Sequence, residues 1–344
     1  MGFAKGIHHF TTSPYYLNPS HMEHFHRNLK SAIILFHNIH HRQWDSNLTW
    51  FQLAFNIALH KSRKSMLYEV LLSYDHIQPI NLEWEIFSVK CNEISLSDQF
   101  LTIELQLSTQ MKALRYNQHV AYIYDPVEYA YNLHAQFTQK FCQSTKKILF
   151  LGMNPGPWGM SQTGVPFGEV KVVRDWMRLS GEVGHPIKEH PSRPVLGLAC
   201  HRSEISGRKF WGLFQELCKE PQHFFQHAFV YNYCPLAFLS SSGKNITPAE
   251  FKADERKLMN QICDEALCKI ITLLQVQMII GLGKFAEKRA SLAIKEYQLD
   301  NIQVVSIPHP SPRNFMVKDW NREATLQLIR LQVIDCFTPS SNST

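Results

Sequence analysis

The chain has 344 residues, of which 44% are hydrophobic and 19% are charged, and its formal net charge is +6. This length and composition suffice for one sizeable hydrophobic core with an appendage. No run of about 20 apolar residues is present, so no membrane-spanning helix is predicted, and the mild positive charge permits a polyanionic partner without requiring one.

The first segment, residues 1–95, differs in composition from the rest of the chain. It is rich in histidine and contains few acids up to about Lys64. Clustered histidines bind metals, but their irregular spacing here favours a weakly constrained extension. A mitochondrial presequence is also poor in acids, although it is usually rich in Arg and Ser rather than His. We predict an N-terminal extension and assign it no function.

From about Leu96 the pattern becomes that of a compact domain, which we place at residues 96–337, followed by a polar, disordered tail at 338–344. The apolar spacing predicts helices at 97–113, 131–142, 167–179, 207–218, 247–274, 284–295 and 320–331. It predicts strands at 148–152, 227–231, 276–280 and 302–307. Nearly all-apolar strands that alternate with helices are typical of a parallel sheet covered on both faces. The predicted class is therefore α/β, with a short four-stranded parallel sheet flanked by helices.

The eight cysteines are scattered, and no C-x-x-C pair occurs. Cys263 and Cys268 lie in an apolar helical run, where a free cysteine packs as a small hydrophobic residue. We therefore predict buried thiols rather than a zinc or iron–sulfur site, and no metal or cofactor. Free thiols are typical of a reducing compartment.

Three predicted strands end in polar residues, and these are the candidate site. A loop rich in Gly and Pro follows the first strand and carries Asn154, with Phe167 near its far end. Asn232 ends the second strand, and His309 follows the last strand between two prolines that restrict its backbone. In parallel α/β sheets, ligands bind outside the carboxyl ends of the strands, so these side chains are expected to meet.

Other motifs are weak or absent. Gly281-x-Gly283 lacks the third glycine and the following acid of a dinucleotide loop, so a tight turn explains it better. The sequence has neither a G-x-x-x-x-G-K-[ST] phosphate loop nor a G-x-S-x-G nucleophile elbow.

Longer motifs resemble those of the single-strand-selective monofunctional uracil-DNA glycosylases. They are Gly152-Met153-Asn154-Pro155-Gly156-Pro157, Gln162-Thr163-Gly164-Val165-Pro166-Phe167-Gly168-Glu169, Asn232-x-Cys234-Pro235-Leu236 and His309-Pro310-Ser311-Pro312-Arg313-Asn314. The resemblance runs from about Leu96 to Leu331, and residues 1–95 have no counterpart.

The resemblance implies a three-layer uracil-DNA-glycosylase fold and a catalytic role for two residues. The family removes uracil, and oxidised 5-substituted uracils such as 5-hydroxymethyluracil, from DNA. Asn154 would orient the attacking water, and His309 would stabilise the charge that develops on uracil O2. An amide cannot abstract a proton, so Asn154 would act by positioning.

The resemblance also implies how base and DNA are held. The Met153 backbone would donate to the base, Phe167 would stack on it, Asn232 would bind N3–H and O4, and Gly156 would leave room beside C5. The residues expected to contact DNA are Pro310, Ser311, Pro312, Arg313, Asn314 and Lys244, although for Lys244 a solvated loop is an equally good interpretation.

The expected partner is uracil-containing DNA, for a monomeric nuclear enzyme without lyase activity. A catalytically inactive DNA-binding protein with the same fold is the first alternative. A different α/β hydrolase is the second, although it would require acidic metal ligands where the strand ends have Asn and His.

Overall fold

The computed structural model describes residues 95–311 and 318–338. All of the predicted extension except Ser95 lies outside these residues, as do residues 312–317 and nearly all of the tail. The division into extension, domain and tail stays a prediction.

A four-stranded parallel sheet forms the centre of the described structure, as predicted. In this part of the chain the strands are β1 (Tyr122–Tyr124), β2 (Ile148–Gly152), β3 (Ala228–Asn232), β4 (Ala237–Leu239), β5 (Asn245–Ile246), β6 (Met278–Leu282) and β7 (Gln303–Ile307). The parallel sheet has the order β3-β2-β6-β7. All five residues of β2, β3 and β6 are buried, whereas the edge strand β7 is half-buried, which explains the continuous apolar runs in the sequence.

Helices cover the sheet. In the described part they are α1 (Leu96–Lys112), α2 (Pro126–Tyr129), α3 (Tyr131–Phe141), α4 (Met160–Thr163), α5 (Ile205–Cys218), α6 (Pro221–His227), α7 (Ala253–Leu274), α8 (Lys284–Glu296) and α9 (Trp320–Arg330). In the strand order, β3 lies on one side of β2, whereas β7 lies beyond β6 on the other side of β2. The connection from β2 to β3 and that from β6 to β7 therefore run in opposite directions across the sheet. Because such crossovers are right-handed, these connections place helices on opposite faces of the sheet.

A cluster of aromatic rings fills one side of the core. Phe150 of β2 contacts Phe210 and Phe214 of α5, with ring centroids 5.4 and 5.2 Å apart, and Phe337 closes the cluster at 5.9 Å. Each is almost fully buried, and burying a phenylalanine contributes about 2 kcal/mol. This packing anchors the strand that leads into the candidate site.

A second, antiparallel sheet in the order β1-β4-β5 was not predicted. Its strands have only two or three residues, too few to show a period in the sequence. The turn between β4 and β5 contains Gly243, whose φ of 74° favours glycine. This hairpin carries Lys244 and Asn245.

Two predicted helices have different bounds. The helix expected at 167–179 is confined to a short stretch ending in a π-turn at Val172–Trp176, because Phe167 has a left-handed φ of 55° that interrupts it. The helix expected from Thr247 is broken. A 3-10 turn, Pro248–Glu250, is followed by extended residues, and α7 begins at Ala253. The break allows Phe251 to pack against Phe238, 5.0 Å away between centroids.

Candidate active site

The carboxyl ends of the parallel strands meet at one edge of the sheet. Gly152 at the end of β2 pairs with Asn232 at the end of β3, and Leu282 of β6 pairs with Ile307 of β7. A cavity of about 660 Å³ opens there. It is lined by the six residues predicted to bind the base or act in catalysis: Met153, Asn154, Gly156, Phe167, Asn232 and His309.

Side-chain hydrogen bonds from within the loop and from α3 hold the loop after β2 in place. Gln162 Nε2 donates to the carbonyls of Pro157 and Pro194, both at 3.0 Å, and the His134 ring nitrogen Nδ1 lies 2.8 Å from the Gly164 carbonyl. Asn154 is held less firmly, since its side-chain NH₂ has only a long 3.4 Å contact with the Pro155 carbonyl. A rigid loop thus presents an amide that is free to orient a small ligand.

Phe167 and Asn232 border a slot in the cavity, and Gly152 lets both side chains approach the end of β2 closely. A Cβ at Gly152 would lie 2.2 Å from Asn232 Oδ1 and 2.7 Å from the Phe167 ring, so no side chain fits there. The Phe167 ring is fixed from behind by Phe210, with centroids 5.3 Å apart. A planar ligand in this slot meets an aromatic face on one side and an amide at its edge.

Asn232 is only 4% exposed, yet its side-chain oxygen is unsatisfied. Nδ2 donates to the Met160 sulfur at 3.2 Å, whereas the buried Oδ1 has no hydrogen-bond partner among the described residues. Leaving such an oxygen unpaired costs about 1–3 kcal/mol. The pattern is that of an acceptor that a ligand satisfies.

His309 faces the slot as a neutral donor. The Ser311 N–H donates to His309 Nδ1 at 3.0 Å, so the ring proton lies on Nε2. Burial lowers the pKa of His309 to about 4, because desolvation penalises the imidazolium. The Trp320 indole donates to the Pro308 carbonyl at 2.7 Å and fixes the approach to the histidine.

Residues 139–330 match the family described as the uracil DNA glycosylase superfamily. A Bos taurus "Single-strand selective monofunctional uracil DNA glycosylase" is 46% identical over 264 residues, which cover 76% of this chain and 96% of the relative. The chain belongs to the uracil DNA glycosylase superfamily. A Rattus norvegicus protein of the same description is 48% identical over 245 residues, or 71% of this chain and 88% of the relative.

The family resemblance predicted from the motifs is therefore confirmed. The solved structure of wild-type Pedobacter heparinus SMUG2 aligns with a TM-score of 0.47 and 21% identity, covering 68% of this chain and 96% of that one.

The structure describes only some of the residues that are predicted to contact DNA. Pro310 and Ser311 follow His309, and Ser311 lines the cavity, whereas Pro312, Arg313 and Asn314 lie outside the described residues. Lys244 also lines the cavity, and its ammonium group forms a 3.1 Å ion pair with Glu250. The Glu250 carboxylate therefore offsets part of the positive charge that Lys244 brings to the cavity.

Several residues at or near the cavity were not predicted from the sequence as site residues. The Trp158 ring lies beneath two guanidinium groups, 5.3 Å from Arg193 and 4.5 Å from Arg202. Glu204, at the start of α5, is the only acid among the described residues that line the cavity. Trp158 belongs to the Asn154 loop itself, whereas Arg193, Arg202 and Glu204 come from a later segment of the chain, and of these Arg193 and Glu204 line the cavity.

Among the described cysteines all seven are free, and six of them are buried, which agrees with the prediction of buried thiols.

In the described part of the chain, no group of three or more His, Cys, Asp or Glu side chains is placed to hold a metal ion. None of the helices described is long and apolar enough to cross a membrane.

Proposed function

We propose that the chain is a monofunctional DNA glycosylase that flips uracil out of DNA and hydrolyses its N-glycosidic bond, leaving an abasic site. Family membership and the names of the relatives support this class of reaction. The observation that carries the proposal is the unpaired, buried Oδ1 of Asn232 beside the Phe167 ring. We extend the substrate range to 5-substituted uracils such as 5-hydroxymethyluracil.

Asn232 accounts for the choice of base. Uracil presents an N3–H donor beside an O4 acceptor, which matches an amide whose oxygen accepts and whose NH₂ donates. The Met160 sulfur fixes which side carries the NH₂ group. Cytosine presents the opposite pattern, so both hydrogen bonds would be lost and buried groups would stay unpaired, at a cost of at least a few kcal/mol.

His309 acts on the leaving base. Breaking the bond leaves negative charge on the uracil ring, and a donor aimed at O2 stabilises that charge more than it stabilises the neutral base. A neutral Nε2–H suits this role, because it donates without first requiring a proton from solvent. No Schiff base is involved in this scheme, so no strand cleavage follows.

Asn154 positions the attacking water. Its amide has no strong partner within the described residues, and its site at the end of β2 lies next to the slot for the base. The amide orients a water molecule but does not deprotonate it. The water adds to the anomeric carbon as the bond to the base breaks and the sugar gains oxocarbenium character, and the proton that the water loses is taken up by the departing uracil anion.

DNA is held around the opened base pair. Flipping a base costs a few kcal/mol, and this cost is lowest in mispaired or single-stranded DNA. Residues 310–314 would fill the space left by the base, with Arg313 near a phosphate, and Lys244 would contact the DNA backbone. We further propose a monomer located in the nucleus, which a fluorescent fusion and sedimentation analysis would test.

The deciding experiment measures base release directly. A uracil-containing oligonucleotide is incubated with the full chain, and abasic sites are then cleaved with alkali. Alkali-dependent cleavage is expected for the wild type, with a loss of orders of magnitude in His309→Leu while DNA binding persists. Binding without any base release would instead support the inactive DNA-binding protein. Cleavage before the alkali step would contradict the monofunctional assignment.

A further inference from the structure

Glu204 brings a carboxyl group into a cavity that otherwise presents amides and basic groups. The residue precedes α5, and its carbonyl accepts from the Arg208 N–H at 2.8 Å, which fixes the backbone. Its side chain lies against the turn formed by residues 156–159. A Cβ at Gly156 would meet Glu204 Oε2 at 2.6 Å, and one at Gly159 would meet Glu204 Cγ at 2.9 Å.

This carboxyl group is half-buried and has few hydrogen-bond partners. Oε2 accepts from the Trp158 N–H at 3.3 Å, whereas Oε1 accepts no hydrogen bond from any described residue. No Lys, Arg or His in the described part of the chain forms an ion pair with it. Burial raises the pKa of Glu204. Because Glu204 lines the cavity, its unpaired carboxylate oxygen is available to accept a hydrogen bond from a ligand there.

The orientation of Asn232 decides which part of the base faces Glu204. Asn232 Nδ2 points to Met160. A uracil that used Oδ1 for N3–H and Nδ2 for O4 would place position 4 on the Met160 side and position 2 toward His309. Position 5 follows position 4 around the ring and would then face the wall formed by residues 156–160. Glu204 lies in this wall.

We propose that Glu204 is a specificity-determining residue, whose free carboxylate oxygen accepts a hydrogen bond from the hydroxyl of a 5-hydroxymethyl group on the flipped base. The inference rests on the proposed function and adds to it the residue that selects a donor at C5. Uracil itself has only hydrogen there, so Glu204 distinguishes among substituted bases.

Glu204→Gln tests the proposal because it changes the chemistry with little change of shape. The amide oxygen must face the Trp158 N–H, which turns the NH₂ group toward the cavity. A donor then replaces the acceptor, which favours 5-formyluracil, an acceptor, over 5-hydroxymethyluracil. The ratio of kcat/KM for 5-hydroxymethyluracil to that for 5-formyluracil is expected to fall about tenfold, the effect of one charge-assisted hydrogen bond.

Glu216→Gln is the matched control, since Glu216 lies on the same helix and is exposed. The ratio should not change in this variant. If Glu204→Gln does not fold by circular dichroism, Glu204→Asp withdraws the same carboxyl group by one methylene and should lower the ratio in the same direction.

Uracil excision by the wild type distinguishes a failure of the proposed function from a failure of the role of Glu204. A wild-type protein that releases no uracil contradicts the proposed function. A wild type that releases uracil but not 5-hydroxymethyluracil overturns the role of Glu204 alone. An equal loss on all three bases in Glu204→Gln also overturns it, because Glu204 would then only support the turn at 156–159.

Discussion

Lowering the pH should destabilise the fold through His309. The ordinary pKa of histidine is 6.5, and burial lowers that of His309 to about 4. Between these values the unfolded chain binds a proton that the folded chain does not. The contribution to the free energy of unfolding is therefore fully present above pH 6.5 and is lost as the pH falls to about 4. A pKa difference of this size corresponds to about 3 kcal/mol, which is an upper limit because the ring borders the cavity.

The assay compares urea unfolding of the wild type with that of His309→Asn at about pH 7.5 and about pH 4.5. The other titrating groups are common to both proteins and cancel in the difference. The wild type should lose up to about 3 kcal/mol more than the variant on acidification. NMR titration of the His309 ring provides an independent value. An imidazole that titrates at or above pH 6.5, or unfolding free energies that remain parallel between the two proteins, would refute the reasoning.

Three further outcomes are expected. Asn232→Asp should lower kcat/KM for uracil at least about 100-fold, since a carboxylate repels O4, and unchanged excision would remove Asn232 as the recognition residue. Gly152→Ala should abolish base release, because the new Cβ displaces Asn232 and the Phe167 ring, while thermal unfolding shows that the protein still folds; normal excision would contradict the placement of these two side chains. Lys244→Ala should make the slope of log K for DNA binding against log salt concentration smaller by about one phosphate contact, measured between about 50 and 200 mM salt. Lys269→Ala, which also breaks a Lys–Glu pair on the surface, is its control and should leave the slope unchanged.

Much of the central sheet could be predicted because its signal is local. β2 and β3 lie within a residue of their predicted bounds, since buried parallel strands appear as uninterrupted apolar runs. The strand predicted at 276–280 instead begins at Met278. Gln275 adopts a left-handed conformation at the end of α7, and the Val276 N–H bonds back to Ile271, so the helix end occupies those positions.

The site could be predicted in part. Asn154, Asn232 and His309 follow strands whose order places their ends at one edge, so sequence proximity to a strand end was sufficient. Glu204 could not be found in this way. It precedes a helix, and only the packing of α5 against the Asn154 loop brings its carboxyl group into the cavity.

The sequence by itself determined the α/β class, the Gly/Pro-rich loop after β2 and the polar residue types at the strand ends, because apolar runs and Gly/Pro turns act over a few neighbouring residues. Only the tertiary structure decided their chemical state. The half-buried ring of His309 is neutral with its proton on Nε2, the Asn232 NH₂ group faces the Met160 sulfur, and one carboxylate oxygen of Glu204 has no hydrogen-bond partner among the described residues. These properties depend on desolvation and on partners distant in the chain, which no local pattern encodes.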